Sequence, residues 1–314
     1  MTNEAALAGD SKSEVVVRLT SGLGNQLFQL AQGMALAERM NARLRYDTTW
    51  FGLVAGLHPV KRELKLPELS VPLPEAFRGP MRLIIGLLAA YFDKMGRGKW
   101  PLSIAGKMQV IQENTLYPDF NNDLGAIKGK RIYLNGYWQT STPFVLVCDK
   151  LLPMLRPKSP LSMGAEALIA KANTGVTGFI HVRRGDYLHF MGAKGTLPVS
   201  YYSRAFTKMQ AAGKRVAQWM IFAEDTDWAR DNLSFISDAE IVDYPSPNRD
   251  IEDLIIMKTC SAGIIANSSF SWWGAALGNH PDRPIIGPDR YWQGSQTSTS
   301  AWTLPLWLRV KAWD

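Results

Sequence analysis

The sequence predicts an α/β protein made of two Rossmann-like halves with a cleft between them. Three observations carry this. Short β-branched or apolar runs alternate with segments long enough for helices, the chain opens on a strand, a glycine loop and a helix, and the alternation restarts after a proline-rich stretch in mid-chain. A parallel sheet with crossover helices has this signature, because each parallel connection needs a dozen or more residues.

EVVVRLT (14–20) reads as the first strand. It ends at SGLGNQ, after which Leu27, Leu30, Ala31, Met34, Ala35 and Ala37 recur at helical spacing. ARLRYD (42–47) is the second strand and closes a βαβ unit. From 52 to 80 five prolines break the pattern, so a long irregular excursion is expected, of a length that usually carries function. RIYLNGYWQ (131–139) is another strand, followed by a helical stretch over 142–154.

LRPKSPLS (155–162) is the candidate linker, dividing the chain into 1–155 and 156–314. Beyond it GVTGFIHV, VAQWMIFAE, AEIVDYP, AGIIANSS and DRPIIGP are five short strands with helix-length spacers. QGSQTSTS (293–300) reads as a mobile loop.

With 314 residues, 46% of them hydrophobic, the chain can bury two ordinary domains. Its net charge of +7 favours anionic partners. The basic residues are scattered, with no zinc spacing and no aromatic-basic repeat, so no nucleic-acid partner is expected. Cys148 and Cys260 lie far apart in apolar surroundings and read as buried thiols in a reducing compartment. The polar N-terminus has no signal-like apolar core, and LIIGLLAAYF (83–92) is about half of what a membrane span needs. A cytoplasmic protein is expected, with at most a weak peripheral contact to the inner face of the membrane.

Four stretches carry candidate chemistry. In the first glycine loop, Gly22 and Gly24 match a dinucleotide fingerprint, Leu27 occupies the third glycine position, and Asp47 ends the next strand where a ribose-binding acid would sit. Asn25 and Gln26 also suit phosphate or sugar hydroxyls at a helix N-terminus, and a ligand-free turn is the plain alternative.

HVRRGDY (181–187) puts Arg183 and Arg184 at the carboxyl end of a buried strand, where open α/β sheets bind ligands. Arginine forks grip phosphate oxygens and stay charged; the alternative is that one of them pairs with Asp186 to pin the turn. Glu224 and Asp225 end the next strand and would accept hydrogen bonds from a nucleobase or ribose, or lie solvated in a loop. In ANSSFSWWGAAL (266–277), Asn267, Ser268 and Ser269 precede a helix and offer hydroxyls and backbone N–H groups to a diphosphate. Trp272 and Trp273 read as core.

Taken in order, GLGNQLFQLA, NGYWQ, HVRRGDY and DLIIMKTC with ANSSFSWWGAAL closely resemble the α-1,2-fucosyltransferases of glycosyltransferase family eleven, over residues 16 to about 278. Two departures stand out, Ser21 where glycine is usual and Ala276 where many relatives carry tryptophan.

The resemblance implies a GT-B architecture with the acceptor on the N-terminal half and GDP-fucose on the C-terminal half. It further implies an inverting transfer to a terminal β-galactose, no cofactor, no metal, and a bacterial-type form without the membrane anchor of the animal enzymes. By motif position, Arg183 would hold the β-phosphate and His181 and Asp186 would shape the loop. Ser268 and Ser269 would seat the diphosphate, with Arg184, Asp225 and Phe270 on the donor side. Asp186 is the nominal base and His189 the alternative. Two rival readings remain open, an NAD-dependent oxidoreductase using Gly22, Gly24 and Asp47, and a non-catalytic nucleotide-binding or nucleic-acid module. Acceptor contacts are expected from 52–80 and 188–198.

Overall fold

The computed structural model describes residues 13–52, 55–56, 61–94, 108–113, 127, 129–213, 215–278 and 282–314. The chain divides into two compact units, Met1–Arg156 and Pro157–Asp314.

In the first unit, strand β1 (Glu14–Arg18) leads into helix α1 (Leu23–Met40) and strand β2 (Arg43–Asp47). Helix α2 (Gly79–Lys94), strands β3 (Gln109–Gln112) and β4 (Arg131–Asn135) and helix α3 (Ser141–Met154) follow. The four strands form a parallel sheet in the order β2-β1-β4-β3.

Covered on both faces, β1 has no room for polar side chains along its middle, and Val15, Val16 and Val17 are fully buried. Gly33 lets α1 lie close to this strand, since a Cβ there would come within 2.3 Å of Val17. Asn41 ends α1 in the left-handed conformation (φ 48°), its N–H reaching the carbonyls of Ala37 and Glu38.

The second unit begins with helix α4 (Met163–Asn173) and strand β5 (Thr177–Val182). Helices α5 (Gly185–Met191) and α6 (Val199–Ala211), strand β6 (Gln218–Ala223), helix α7 (Thr226–Asn232) and strand β7 (Ala239–Ile241) come next. Helix α8 (Arg249–Thr259), strand β8 (Ala262–Ile264), helix α9 (Ser269–Ala276) and strands β9 (Ile285–Pro288) and β10 (Leu308–Val310) complete it. This sheet is parallel, in the order β10-β9-β8-β5-β6-β7.

Its core gathers Ile180, Val182, Tyr201, Trp219, Ile221, Ile264 and Ile286. Trp272 and Trp273 are wholly buried, as their place in an apolar helix predicts.

Several expectations are corrected. Strands β3 and β10 escaped the sequence reading because both are short edge strands whose residues are only partly buried or exposed, so neither shows a long apolar run. The described part of 52–80 is irregular yet anchored. Leu66, Leu69 and Val71 are buried, and Tyr46 exchanges backbone hydrogen bonds with Pro74 and Ala76. Residues 53–54 and 57–60 of that stretch lie outside the described residues. QGSQTSTS, expected to be mobile, is tied down instead: Thr299 is buried and donates from Oγ1 to the Pro288 carbonyl at 2.6 Å, while Arg290 reaches the Ser295 carbonyl. Cys148 is only partly buried, because it sits on the outer side of α3, whereas Cys260 is buried. Among the described residues no helix is long and apolar enough to cross a membrane.

Two polar anchors organise the second unit. Ser162, at the end of the proline-rich stretch, caps α4 by accepting from the Ala165 N–H at 3.3 Å. Its own N–H and hydroxyl donate to Glu252 of α8 at 2.7 and 2.8 Å. Burial pulls the Glu252 carboxyl upward, but the hydrogen bonds from Ser162, Ser246 and Tyr244 outweigh it and hold its pKa below the ordinary glutamate value.

The second anchor is Arg283, a buried cation whose guanidinium donates to the carbonyls of Cys260, Met257, Ala275 and Gly278. It thereby satisfies the C-terminal ends of α8 and α9 together. Burial lowers its pKa to about 10, which leaves it charged at neutral pH.

Two predictions follow from these anchors. Arg283→Leu removes a donor shared by four carbonyls, of which Met257 and Ala275 keep a backbone N–H partner, and is expected to cost about 3 kcal/mol in urea unfolding, with Arg283→Lys recovering only part because an ammonium cannot fork. A carboxyl with a depressed folded pKa stabilises above its unfolded pKa and loses that contribution as pH falls through the folded value. Below about pH 4.3 the wild type should therefore lose stability in acid titration by a component that Glu252→Gln lacks.

Candidate functional site

In each sheet the strand order reverses next to one strand, and ligands in open α/β sheets bind at the carboxyl ends beside such a reversal. In the second unit the reversal lies between β5 and β8. The loop after β5 is HVRRGDY and the loop after β8 is ANSSF, so two motifs distant in sequence border the same crevice. In the first unit it lies between β1 and β4, which brings SGLGNQ beside NGYWQ.

Arg183 leaves the end of β5 and makes ion pairs with Asp186, at 2.6 Å, and with Glu224. Its side chain is 14% exposed, and its Nε is buried without a partner. The ring of Tyr187 lies 5.1 Å from the guanidinium carbon. Gly185 makes the Glu224 contact possible, since a Cβ there would come within 2.3 Å of the carboxylate.

Arg184 takes a separate position, paired with Asp225 at 3.2 Å and lying over the Trp228 ring at 4.2 Å. Asp225 also caps α7, accepting the Trp228 N–H at 3.1 Å. Both arginines are thus held by carboxylates, and Glu224 and Asp225 are partners of the arginine pair rather than free loop acids. Asp186 is committed to Arg183, and His189 lies exposed one helical turn further along α5.

His181 is 5% exposed at the end of β5, with its ring 5.6 Å from that of Phe270. Burial and the Arg183 charge lower its pKa to about 3, so the imidazole is neutral over the physiological range. Ser268 caps α9 by accepting the Phe270 N–H at 3.3 Å, and Ser269 and Phe270 are partly exposed at the start of that helix.

Asn267 departs from its expected place in the diphosphate cradle. It is fully buried, and its amide donates to the carbonyls of Gly195 and Tyr291 at 2.8 and 2.5 Å. Tyr187 donates to the Asn267 carbonyl at 3.2 Å and lies 2.8 Å from the Tyr291 hydroxyl. These side chains bind three loops together beneath the crevice. Tyr187 was visible as the last letter of HVRRGDY, whereas Tyr291 and Trp228 belong to no motif.

In the first unit Gln26 is likewise structural. It is buried, its amide nitrogen donates to the carbonyls of Ser21 and Glu63, and its oxygen accepts the Lys65 N–H. Asn25 is partly exposed and joins the two motif loops, donating to the Ser21 hydroxyl at 3.1 Å and accepting from Gln139 at 2.7 Å.

Ser21 adopts a left-handed φ of 65°, which accounts for the glycine usual at this position in the family it resembles. Asp47 is 1% exposed and fully committed, accepting from the Tyr133 hydroxyl at 2.5 Å and the Thr49 N–H at 2.9 Å. Both oxygens are engaged within the core and none faces a ribose, so the dinucleotide reading loses its acid.

Known proteins resemble this chain over most of its length. The model of Glycosyl transferase family 11 matches residues 114–308, more than half of the chain. The O-antigen biosynthesis glycosyltransferase WbnK of Escherichia coli is 26% identical over 311 residues, covering 93% of this chain and 99% of that protein. An Escherichia coli α-1,2-colitosyltransferase is 26% identical over 306 residues, covering 95% and 99%. Among solved structures, the NodZ α-1,6-fucosyltransferase soaked with GDP-fucose superposes with a TM-score of 0.51 at 14% identity, covering 84% of this chain and 92% of that one. The fold is the GT-B class of two Rossmann-like units. The chain belongs to glycosyl transferase family 11 and is a glycosyltransferase, an enzyme that takes a nucleotide-sugar donor and a glycan acceptor.

Proposed function

We propose that the chain is an inverting α-1,2-fucosyltransferase that moves L-fucose from GDP-fucose to the 2-hydroxyl of a terminal β-galactose, with no metal and no cofactor. The observation that carries this reading is Arg183, a guanidinium fixed at the carboxyl end of β5 beside the strand-order reversal. In this reaction the bond from the anomeric carbon to the β-phosphate oxygen breaks, and its electron pair leaves with GDP. The acceptor oxygen attacks from the opposite face and gives up its proton. Negative charge grows on the diphosphate in the transition state, so a cation held ready there stabilises that state more than the ground state.

The neighbouring residues divide this work. Asp186, 13% exposed, keeps Arg183 in place, and Glu224, 44% exposed, is the partner that yields to the incoming diphosphate. Arg184 and Asp225 border the nucleoside side, Ser268 and Ser269 receive the phosphates at the start of α9, and neutral His181 and Phe270 line the floor between the two loops. Strong support of the leaving group makes the transition state oxocarbenium-like and reduces the demand on a base. With Asp186 holding Arg183, the exposed His189 takes the acceptor proton. Asn25, joined to the NGYWQ loop through Gln139, keeps an accessible side for a phosphate or sugar hydroxyl. The relative named as an α-1,2-colitosyltransferase favours one second reading, in which the transferred sugar is colitose, the 3-deoxy analogue of fucose.

A thermal-shift panel of GDP, UDP, ADP and NAD, each with and without EDTA, tests the donor site. A ligand at about a hundred times its Kd adds about 2.7 kcal/mol of stability. Selective stabilisation by GDP that survives EDTA is expected; a response to NAD alone would overturn the reading. Turnover of GDP-fucose and GDP-colitose with β-galactosides then separates the two sugars. Arg183→Lys is expected to lower kcat by about 10²–10³ with the melting temperature retained, because an ammonium cannot fork onto phosphate oxygens. A near-normal kcat in that variant removes Arg183 from the leaving-group role.

A further inference from the structure

The charges around the crevice of the second unit do not by themselves suit a diphosphate. Arg183 and Arg184 are matched there by three carboxylates, Asp186, Glu224 and Asp225, so the cluster as assembled is not cationic. The start of α9 adds about half a positive charge. A nucleoside diphosphate sugar brings about two negative charges, and the departing diphosphate carries about three. In the metal-free transfer proposed above, a further cation is needed from the chain.

Lys194 has the placement for it. It ends a short 3-10 turn (Gly192–Lys194) in the loop that follows α5, and it is exposed. Among the described residues its side chain makes no ion pair and no hydrogen bond. Its backbone is fixed, because three consecutive carbonyls, of Lys194, Gly195 and Thr196, accept from Gln293, Asn267 and Trp313 at 2.9, 2.8 and 3.2 Å. Gly195 lets the turn close, since a Cβ there would come within 2.5 Å of Met191. Asn267, which holds Gly195, directly precedes Ser268 and Ser269 at the start of α9. The lysine is therefore anchored one residue from the bond to the loop that receives the phosphates in the reading above. Arg290, by contrast, is engaged with Ser295 and Asp289.

We propose that Lys194 is a diphosphate-binding residue, whose ammonium swings on its four-carbon stem onto the phosphates as Arg183 exchanges Glu224 for them. This rests on the donor reading above and deepens it. It assigns the part of 188–198 around Lys194 to the donor, whereas the sequence pointed that stretch toward the acceptor.

Calorimetric titration of the full chain, Lys194→Met and Lys194→Arg with GDP and with guanosine is the test. Removing the ammonium is expected to raise the Kd of GDP about tenfold. The Kd of guanosine, which carries no phosphate, and the melting temperature should stay unchanged, since Lys194 is exposed and touches no other side chain. Lys194→Arg should restore most of the GDP affinity, because it keeps the charge. An unchanged Kd for GDP in Lys194→Met overturns the proposal. Equal losses for GDP and guanosine overturn it as well, because they assign Lys194 to the shape of the site and not to the phosphates. The donor reading fails in a different way. A wild type that binds UDP and uridine in place of GDP and guanosine removes the fucosyl donor, and the same two variants then decide Lys194 on that pair. A wild type that binds no nucleoside diphosphate overturns both.

Discussion

A strand covered on both faces can carry charge only at its ends, and the site in this protein follows from that constraint. Along β5 every side chain is buried, and the first charges the chain can place, Arg183 and Arg184, come where the strand leaves the sheet. The same holds for β1, where Arg18 follows three buried valines and donates to Asn135 at the end of β4 at 3.1 Å. Parallel strands all point their carboxyl ends the same way, so the polar groups of each sheet collect along one edge.

Once collected, these groups need partners, since a buried charge without one is costly. The second unit meets this need in two ways. The arginines after β5 are matched by carboxylates, so each guanidinium is oriented before any ligand arrives. A site whose dipoles and charges are already aimed needs little reorganisation during the reaction. Among the described residues Arg283 has no carboxylate partner and is satisfied by carbonyl oxygens at the ends of α8 and α9, which fixes the helix that begins at Ser269 from its far end. The arginines after β5 are oriented by charged partners, and Arg283 is enclosed by carbonyl dipoles.

The amides show how residue type alone misleads. Asn25, Gln26 and Asn267 all precede or open helices, and all read as ligand contacts from sequence. Gln26 and Asn267 are buried, and their hydrogen bonds hold neighbouring loops; only Asn25 keeps an accessible side. An amide can donate and accept at once, which makes it as well suited to joining loop backbones as to binding a sugar. Which of the two it does depends on whether another loop passes within reach.

The sequence by itself determined the long buried strands, the helices beside the motifs and the loops where charge emerges. Those features rest on local periodicity and on glycine, proline and charge at strand ends. It also carried the family, because four motifs in fixed order are specific where each alone is not. Short edge strands such as β3 and β10 were illegible, since a few half-exposed residues leave no pattern. Only the tertiary structure decided partners. That Glu224 meets Arg183 across 41 residues, that Asn267 reaches Gly195 and Tyr291, and that Asp47 is committed to Tyr133 are all consequences of strand order. Strand order is set by packing between distant segments, which no local pattern encodes.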